Sequence, residues 1–219
     1  MPKLEWDKTG ERLYETGIEN CALYVWNGTG YDTGVAWNGI TGVEENPSGA
    51  EATKLWADNI NYVTLYSAEE FGATIKAYMY PDEFGVCDGS ASLGDGVVIR
   101  QQERKMFAIA YKTLIGNDTD GNAHGYKLHI LYGLRCSPSA KNYDTINDSP
   151  EAIEFSWEVT STPVPVENMK PTSVVEIDST TIAAGKLTTI NTTLFGGEGQ
   201  SANPTLLLPD DIKDILDAQ

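Results

Sequence analysis

Two histidines and one acidic turn come closest to metal chemistry in this sequence. His124 and His129 are its only histidines, and their spacing of five residues puts them on opposite faces of a strand. Residues 117–122 read NDTDGN, which follows the start of a calcium-binding loop. Aligning the loop glycine puts Gly116 at the first ligand position and Lys127 at the last, where acids are needed. We therefore expect a hydrated turn, no metal site and no cofactor.

Cysteine and serine chemistry is not predicted either. Cys21, Cys87 and Cys136 are odd in number and far apart, without a Cys-x-x-Cys pair. This pattern indicates buried free thiols rather than a disulfide, zinc or redox site. There is no Gly-x-Ser-x-Gly elbow and no Walker phosphate loop. Glycoside hydrolases use a pair of carboxylates. This chain has many carboxylates, but its sequence singles out no one pair. The sequence does not predict an enzyme.

Acidity limits the partners of this protein. Its 32 acidic and 15 basic residues give a formal net charge of −17. Duplex DNA is a dense line of phosphate charge, so a protein this acidic binds it only through a local basic patch. No run of five or more basic residues is present. We expect no specific DNA binding, and we interpret the charge mainly as a source of solubility.

Nothing in the sequence predicts secretion or a membrane partner. The first ten residues, MPKLEWDKTG, have no apolar region behind a basic one. No later window approaches the roughly 20 apolar residues of a membrane span. We expect the protein to be made in the cytoplasm.

Period-two alternation dominates the sequence and predicts a mainly β fold. Strands are expected at 60–66, 71–80, 105–115, 126–135 and 151–160. In the last of these, Ile153, Phe155, Trp157 and Val159 are expected to point inward. The predicted architecture is a β-sandwich or flattened barrel, with a short flanking helix after Pro81 and a small helical C-terminal segment.

The predicted domain organisation has three parts. Residues 1–10 are an N-terminal arm, residues 11–166 the β domain, and residues 167–219 a strand and two helices packed on that domain. Residues 21–26 alternate without a clearly polar face, so we expect the sheet to be covered on both sides. The helices are predicted at 183–195 and from Pro209, with Ile212, Ile215 and Leu216 buried.

Four stretches have the most specific residue patterns. They read AWNGITGVEENPSGAE (36–51), SAEEFGATIKAYMYPDEF (67–84), TLIGND (113–118) with HGYKLH (124–129), and TINDSPEAIEFSWEVTSTPVPV (145–166). Together they resemble the major tail protein of long-tailed bacteriophages and prophages of Gram-positive bacteria, the subunit of the tail tube. The resemblance spans nearly the whole chain and weakens after about Met169.

The resemblance implies a structural role in the virion tail. Copies of the chain would form hexameric rings, the rings would stack into a tube, and inner strands would join across subunits into a barrel around a DNA channel. Closing strands around a ring removes sheet edges that would otherwise aggregate. The implied partners are other copies, the tail terminator, the tape measure protein and the distal tail protein, and DNA would pass through without specific binding.

The implied tube points to candidate residues on loops. Residues 43–55 are expected to form an acidic loop or hairpin. Stacking contacts are expected from the arm, from residues 44–54 of that loop, and from a glycine-rich surface loop at 85–96. Trp6 in the arm either packs on its own domain or docks on a neighbour. The candidate lumen-facing acids, each of which could instead be an outer solvated carboxylate, are Glu44, Glu45, Glu51 and Asp58, followed by Glu69 and Glu70.

Two other protein classes fit an acidic all-β chain. A host-surface adhesin would gather acids around an exposed aromatic patch and retain cell-wall material. A hydrolase would have a deep cleft with two facing carboxylates.

Overall fold

The computed structural model describes residues 3–146, 148, 151–197 and 202–218. Their architecture is mainly β with two C-terminal helices, which confirms the predicted fold class. The elements in chain order are β1 (Tyr14–Val25), β2 (Val35–Trp37), β3 (Ile40–Glu45), β4 (Ser48–Gly49), β5 (Ala52–Ala57), β6 (Ile60–Tyr66), β7 (Glu69–Glu70), β8 (Gly72–Ala77), a short 3-10 helix (Asp82–Val86), β9 (Ala91–Gly94), β10 (Val97–Ile99), β11 (Phe107–Asn117), β12 (Gly121–Cys136), β13 (Phe155–Ser161), β14 (Val174–Asp178), α1 (Ala184–Phe195) and α2 (Pro209–Asp217).

The main sheet curls so that its two ends meet. Its strands are bonded in the order β2-β1-β11-β12-β13-β8-β3, and every neighbouring pair is antiparallel. β2 and β3 are at opposite ends of this order, although only Asn38 and Gly39 separate them in the chain. Since consecutive Cα atoms are about 3.8 Å apart, Trp37 and Ile40 lie within about 11 Å of each other. The sheet therefore forms a flattened barrel.

β12 pairs with three strands and organises the sheet. One edge bonds β11 along most of its length. The other edge bonds β14 at residues 127–131 and β13 at residues 134–136. Between these two partners lies Gly133, whose φ is +61° and whose carbonyl accepts a 2.9 Å hydrogen bond from the N–H of Thr162. A left-handed residue is what lets the strand change partners there.

The inside of the barrel is an aromatic core. Trp37 and Trp157 both pack on Phe84, with ring centroids 4.5 and 5.0 Å from it. The indole Nε1 of Trp37 donates a 2.9 Å hydrogen bond to the carbonyl of Met79. Each large side chain removed from water stabilises the fold by roughly 1.5–3 kcal/mol. Trp157 and Val159 are buried in this core, as predicted.

The C-terminal segment covers the outer face of the same sheet. In β1, Cys21, Leu23 and Val25 belong to the inner core, while Ala22 and Tyr24 belong to a second core. This confirms that the sheet is covered on both sides. The C-terminal segment contributes six buried residues to the second core, namely Ile177, Ile190, Leu194, Leu206, Leu207 and Ile212.

A long hairpin extends from β3 and β8. Within it β4 pairs with β7 and β5 with β6, and the chain reverses at Asp58 and Asn59, whose φ values are +51° and +62°. Two positive φ values are typical of a type I′ hairpin turn. The strands of residues 48–70, which we call the distal hairpin, bond only one another in the described part of the chain. The segment expected to be an acidic loop or hairpin is thus the first half of a hairpin.

Several sequence expectations need correction. Leu216 was expected to be buried but is 43% exposed. The strand expected at 71–80 is shorter, because β8 ends at Ala77, and Met79 beyond it is 62% exposed. Residues 85–96 are not only a surface loop, because they contain the buried Cys87 and one strand of the β9–β10 hairpin. The connection between the strands expected at 105–115 and 126–135 is shorter, because the pairing of β11 with β12 leaves only residues 118–120 outside the two strands.

Candidate functional site

One face of the distal hairpin is apolar and exposed to solvent. In the ladder, Leu55 is opposite Val63 and Trp56 is opposite Asn61, with a register shift between Leu55 and Trp56. Paired residues project to the same face, so this irregularity puts the two consecutive side chains on one face. Alternation along β6 puts Leu65 on that face as well. Trp56 is 68% exposed, Leu65 52% and Leu55 45%. We call Leu55, Trp56, Val63 and Leu65 the apolar hairpin face.

The opposite face of the distal hairpin is rich in tyrosine. Tyr62 and Tyr66 are 72% and 73% exposed, and Lys54 and Thr64 pair on the same side. A two-stranded hairpin with both faces in water is marginally stable. The distal hairpin is therefore a surface whose apolar area gains free energy when another surface covers it.

Two other exposed segments also carry large apolar side chains. Leu93 and Val98 lie on the β9–β10 hairpin, and Leu4 and Trp6 lie in the N-terminal arm. Trp6 is 72% exposed, so it does not pack on its own domain here, and its docking on a neighbour stays a prediction. Two of the segments predicted to make stacking contacts, the arm and residues 85–96, therefore include exposed large apolar side chains, and the third, residues 44–54, leads into the apolar hairpin face. The first two arm residues lie outside the described residues.

The arm is anchored by the turn between β11 and β12. Asn117 is buried, and its Nδ2 donates a 3.2 Å hydrogen bond to the carbonyl of Gly10. The N–H of Gly10 donates to Asp118 Oδ1 at 2.9 Å, and the Tyr14 hydroxyl donates to Asn122 Oδ1 at 2.8 Å. Sequence reasoning predicted a hydrated turn here and missed this anchoring role. The arm before this anchor, residues 3–9, is exposed.

The first two candidate lumen acids lie at the base of the long hairpin. Glu44 on β3 accepts a 3.3 Å hydrogen bond from the Lys76 ammonium. Glu45, the next residue, accepts a 3.4 Å hydrogen bond from the Tyr111 hydroxyl. Both side chains are exposed, and their lumen role stays a prediction.

The other candidate acids follow the hairpin outward. Glu51 is exposed between β4 and β5, and Asp58 is exposed in the turn at the tip. Glu69 and Glu70 form the short strand β7. The structure therefore spreads these acids along one projection and does not gather them into one site.

The described residues offer little to catalysis by thiols or metals. Burial raises the pKa of Cys87 to about 12 and raises the pKa of Cys21 and Cys136 above the ordinary value, which leaves these thiols unreactive. Among the residues the structure describes, no group of three His, Cys, Asp or Glu side chains converges to hold a metal.

A groove with a volume of about 900 Å³ lies between β1, β2 and α1. Glu19 is the only carboxylate residue in its described lining, so the groove lacks the facing pair of acids that a glycoside hydrolase needs. Lys112 extends over the rings of Tyr126 and Phe195, 4.5 and 5.0 Å from their centroids, and burial lowers its pKa.

A smaller recess of about 480 Å³ is lined by residues from five strands, four of which contribute charged side chains. His129 is buried in it and stacks on the ring of Tyr111, with centroids 4.9 Å apart. Partial burial raises the pKa of Glu15, but hydrogen bonds from Lys127 and Thr113 outweigh this and lower it overall. The hydrogen bond to Glu15 raises the pKa of Lys127.

Neither α1 nor α2, the helices found within the described ranges, is long and apolar enough to cross a bilayer. Comparison with known protein families finds no match to this chain. Comparison with curated proteins finds none either.

Among solved structures, the chain is similar to one from the sheath–tube complex of an extracellular contractile injection system, PVC, in its extended state. The two are 10% identical, and the similarity covers 80% of this chain and 94% of that one with a TM-score of 0.31. At this identity and TM-score, the similarity by itself assigns no function to the chain.

Proposed function

We propose that this protein is a structural subunit that assembles with copies of itself into a tail tube. Copies form rings, hexameric in the family that the sequence resembles, and the rings stack into a channel that lets DNA pass without binding it. The protein then acts in a virion tail, alongside terminator, tape measure and distal tail proteins. It guides DNA and catalyses nothing.

The apolar hairpin face is the observation that carries this proposal. Its four side chains are held outward on a hairpin that has no packing partner among the described elements. Exposed apolar patches of this kind mark surfaces of association in soluble proteins. The hairpin projects from the barrel through β3 and β8, so it can reach a neighbouring molecule.

Charge favours another copy of the same chain as the partner. Residues 52–66 include one lysine and one aspartate and are neutral overall, although the whole chain carries −17. Two copies repel each other, so their contacts form at the lowest cost through neutral apolar segments. An adhesin would instead gather acids around its aromatic patch, whereas residues 52–66 include a single acid, Asp58.

Free strand edges are a second support for assembly. β2 bonds only β1, and β3 bonds only β8, so each leaves one edge without a strand partner in the described part of the chain. Such edges template pairing with another chain unless they are covered. In a closed ring of subunits, neighbouring copies cover them.

The acids along the hairpin fit a channel that repels its cargo. Glu44, Glu45, Glu51 and Asp58 are exposed, and we propose that they face the bore in the assembled tube. Carboxylates there would keep the phosphate backbone from sticking to the wall.

The proposal is tested by placing one charge in the apolar hairpin face. Leu65→Glu should give a folded monomer, because Leu65 is exposed and its loss leaves both cores intact. The wild-type protein at high concentration should form rings and tubes. Sedimentation velocity and negative-stain electron microscopy would separate these outcomes.

A matched control is Leu216→Glu on α2, which introduces the same charge at a leucine that is 43% exposed. This variant should assemble like the wild type. If wild-type protein stays monomeric at every concentration and salt condition, the tube is contradicted. If Leu65→Glu forms normal tubes, the role of the hairpin face is contradicted. Retention of cell-wall material by the monomer would instead support an adhesin.

A further inference from the structure

His129 lies in a row of side chains that crosses three strands of the sheet. It is directly opposite Tyr111 of β11 on one side and Glu176 of β14 on the other. The residue is 6% exposed, and its ring is covered by the parallel ring of Tyr111. Buried polar atoms need partners, so each nitrogen of this imidazole has to be accounted for.

The hydrogen bonds around Nε2 assign the tautomer of the neutral ring. The Thr113 hydroxyl lies 2.5 Å from Glu15 Oε1 and 2.9 Å from His129 Nε2. An ionised carboxylate only accepts, so the single hydroxyl proton of Thr113 goes to Glu15. The hydroxyl oxygen must then accept from His129, which places the proton of the neutral ring on Nε2.

This assignment leaves Nδ1 of the neutral ring unprotonated. Nδ1 is buried and has no hydrogen-bond partner. The nearest charged atom on that side is Glu176 Oε1, 3.7 Å away, and a carboxylate oxygen cannot donate to a bare nitrogen. A proton on Nδ1 would turn two facing acceptors into a charge-assisted hydrogen bond.

Charged groups from four strands are packed around the ring of His129 and the stacked ring of Tyr111. Glu15 of β1 lies 3.4 Å from Nε2, and Glu176 of β14 faces Nδ1. On β3, Glu45 accepts from the hydroxyl of the stacked Tyr111. The nearby cation is Lys127 of β12, which bonds Glu15 at 2.6 Å and lies 3.9 Å from Glu176. Three carboxylates and one ammonium therefore surround the stacked pair of rings.

From this geometry we propose that His129 is a proton-operated clasp between β1 and β14. On mild acidification His129 takes up a proton at Nδ1 and binds Glu176, while Nε2–H keeps its contacts to Thr113 and Glu15. The charged ring then ties the first strand of the sheet to the strand that begins the C-terminal segment. A proton fits this place and a metal ion does not, because no three ligating groups converge here in the described residues. The clasp does not depend on self-association.

The direct test observes the tautomer and the protonation state of the His129 ring. With only His124 and His129 present, nitrogen NMR of labelled protein resolves both rings, and His124→Gln assigns them. At pH 8, His129 should be the Nε2–H tautomer with an unprotonated Nδ1. Near pH 5.5 it should show a slowly exchanging Nδ1–H. A proton on Nδ1 in the neutral ring would overturn the proposal.

The second test measures stability. A proton bound more favourably by the folded state stabilises it as the pH falls. Between pH 8 and 5.5, the folded-to-unfolded ratio of the wild type should rise about tenfold relative to His129→Gln. Carboxylates titrate near pH 4, so they stay ionised over this range.

Matched variants separate the clasp from a general effect of pH. His124→Gln should keep the rise in stability between pH 8 and 5.5. Glu176→Gln should lose most of this rise, because the amide is a weaker acceptor for the charged ring. Parallel stability curves for wild type and His129→Gln, or an unchanged rise in Glu176→Gln, would contradict the clasp.

Discussion

Gly133 shows how one residue determines the path of a strand. A Cβ at this position would lie 2.1 Å from the carbonyl oxygen of Thr162, and φ is +61°. We predict that Gly133→Ala lowers the free energy of unfolding by about 2 kcal/mol or more, because strain of about 1–3 kcal/mol adds to a backbone clash. Chemical denaturation followed by tryptophan fluorescence measures this loss.

Gly185 in the first turn of α1 provides the opposite case. Nothing lies within 4 Å of a Cβ built there, and its φ is not in the left-handed region. Gly185→Ala should therefore leave stability unchanged or raise it by up to about 1 kcal/mol. If both alanine variants lose the same stability, the explanation from local backbone geometry is wrong.

At the scale of elements, the N-terminal arm should matter for assembly and not for folding. Residues 3–9 are exposed, while the contacts of Gly10 with Asn117 and Asp118 fix where the arm begins. We predict that deleting residues 1–9 leaves the melting temperature within a few degrees of the wild type but prevents tube formation. Calorimetry measures the melting temperature, and negative-stain microscopy shows whether tubes form.

A double substitution is the matched control for that deletion. Leu4→Ser with Trp6→Ser keeps the length of the arm and removes the side chains that are 72% exposed. It should block tubes as the deletion does if the apolar side chains make the contact. Normal tubes from the truncated protein would rule out the arm as a contact.

Sequence patterns predicted elements well where one face is buried. The alternation of Trp157 and Val159 identified β13, and the helix predicted at 183–195 is found as α1. Patterns failed where tertiary contacts decide. Nothing local shows that the side chains of β6 stay in water, because an apolar strand reads the same whether its own domain or another covers it.

The same limit applies to sites. The sequence placed His124 and His129 on opposite faces, which correctly separated them. It did not place Glu15 and Glu176 beside His129, because these contacts join residues about 50 to 110 positions apart through the register of four strands. The turn at 117–122 was identified from its composition, but its contact with Gly10 depends on the path of the arm.

For the whole molecule, net charge and apolar surface oppose each other in assembly. Each copy carries −17, and packing copies into a ring brings these charges close together. Electrostatic repulsion acts over about 10 Å at 0.1 M salt and about 3 Å at 1 M. Salt therefore weakens the repulsion between copies, and it does not weaken the apolar contacts of the hairpin face.

We predict that the polymerised fraction at fixed protein concentration rises as sodium chloride increases from about 0.1 M to about 1 M. Sedimentation at each salt concentration measures this fraction, and microscopy of the pellet distinguishes tubes from amorphous precipitate. Leu65→Glu should stay monomeric throughout, because screening does not restore the lost apolar contact. Dissociation of tubes at high salt would mean that ion pairs, and not the apolar hairpin face, join the subunits.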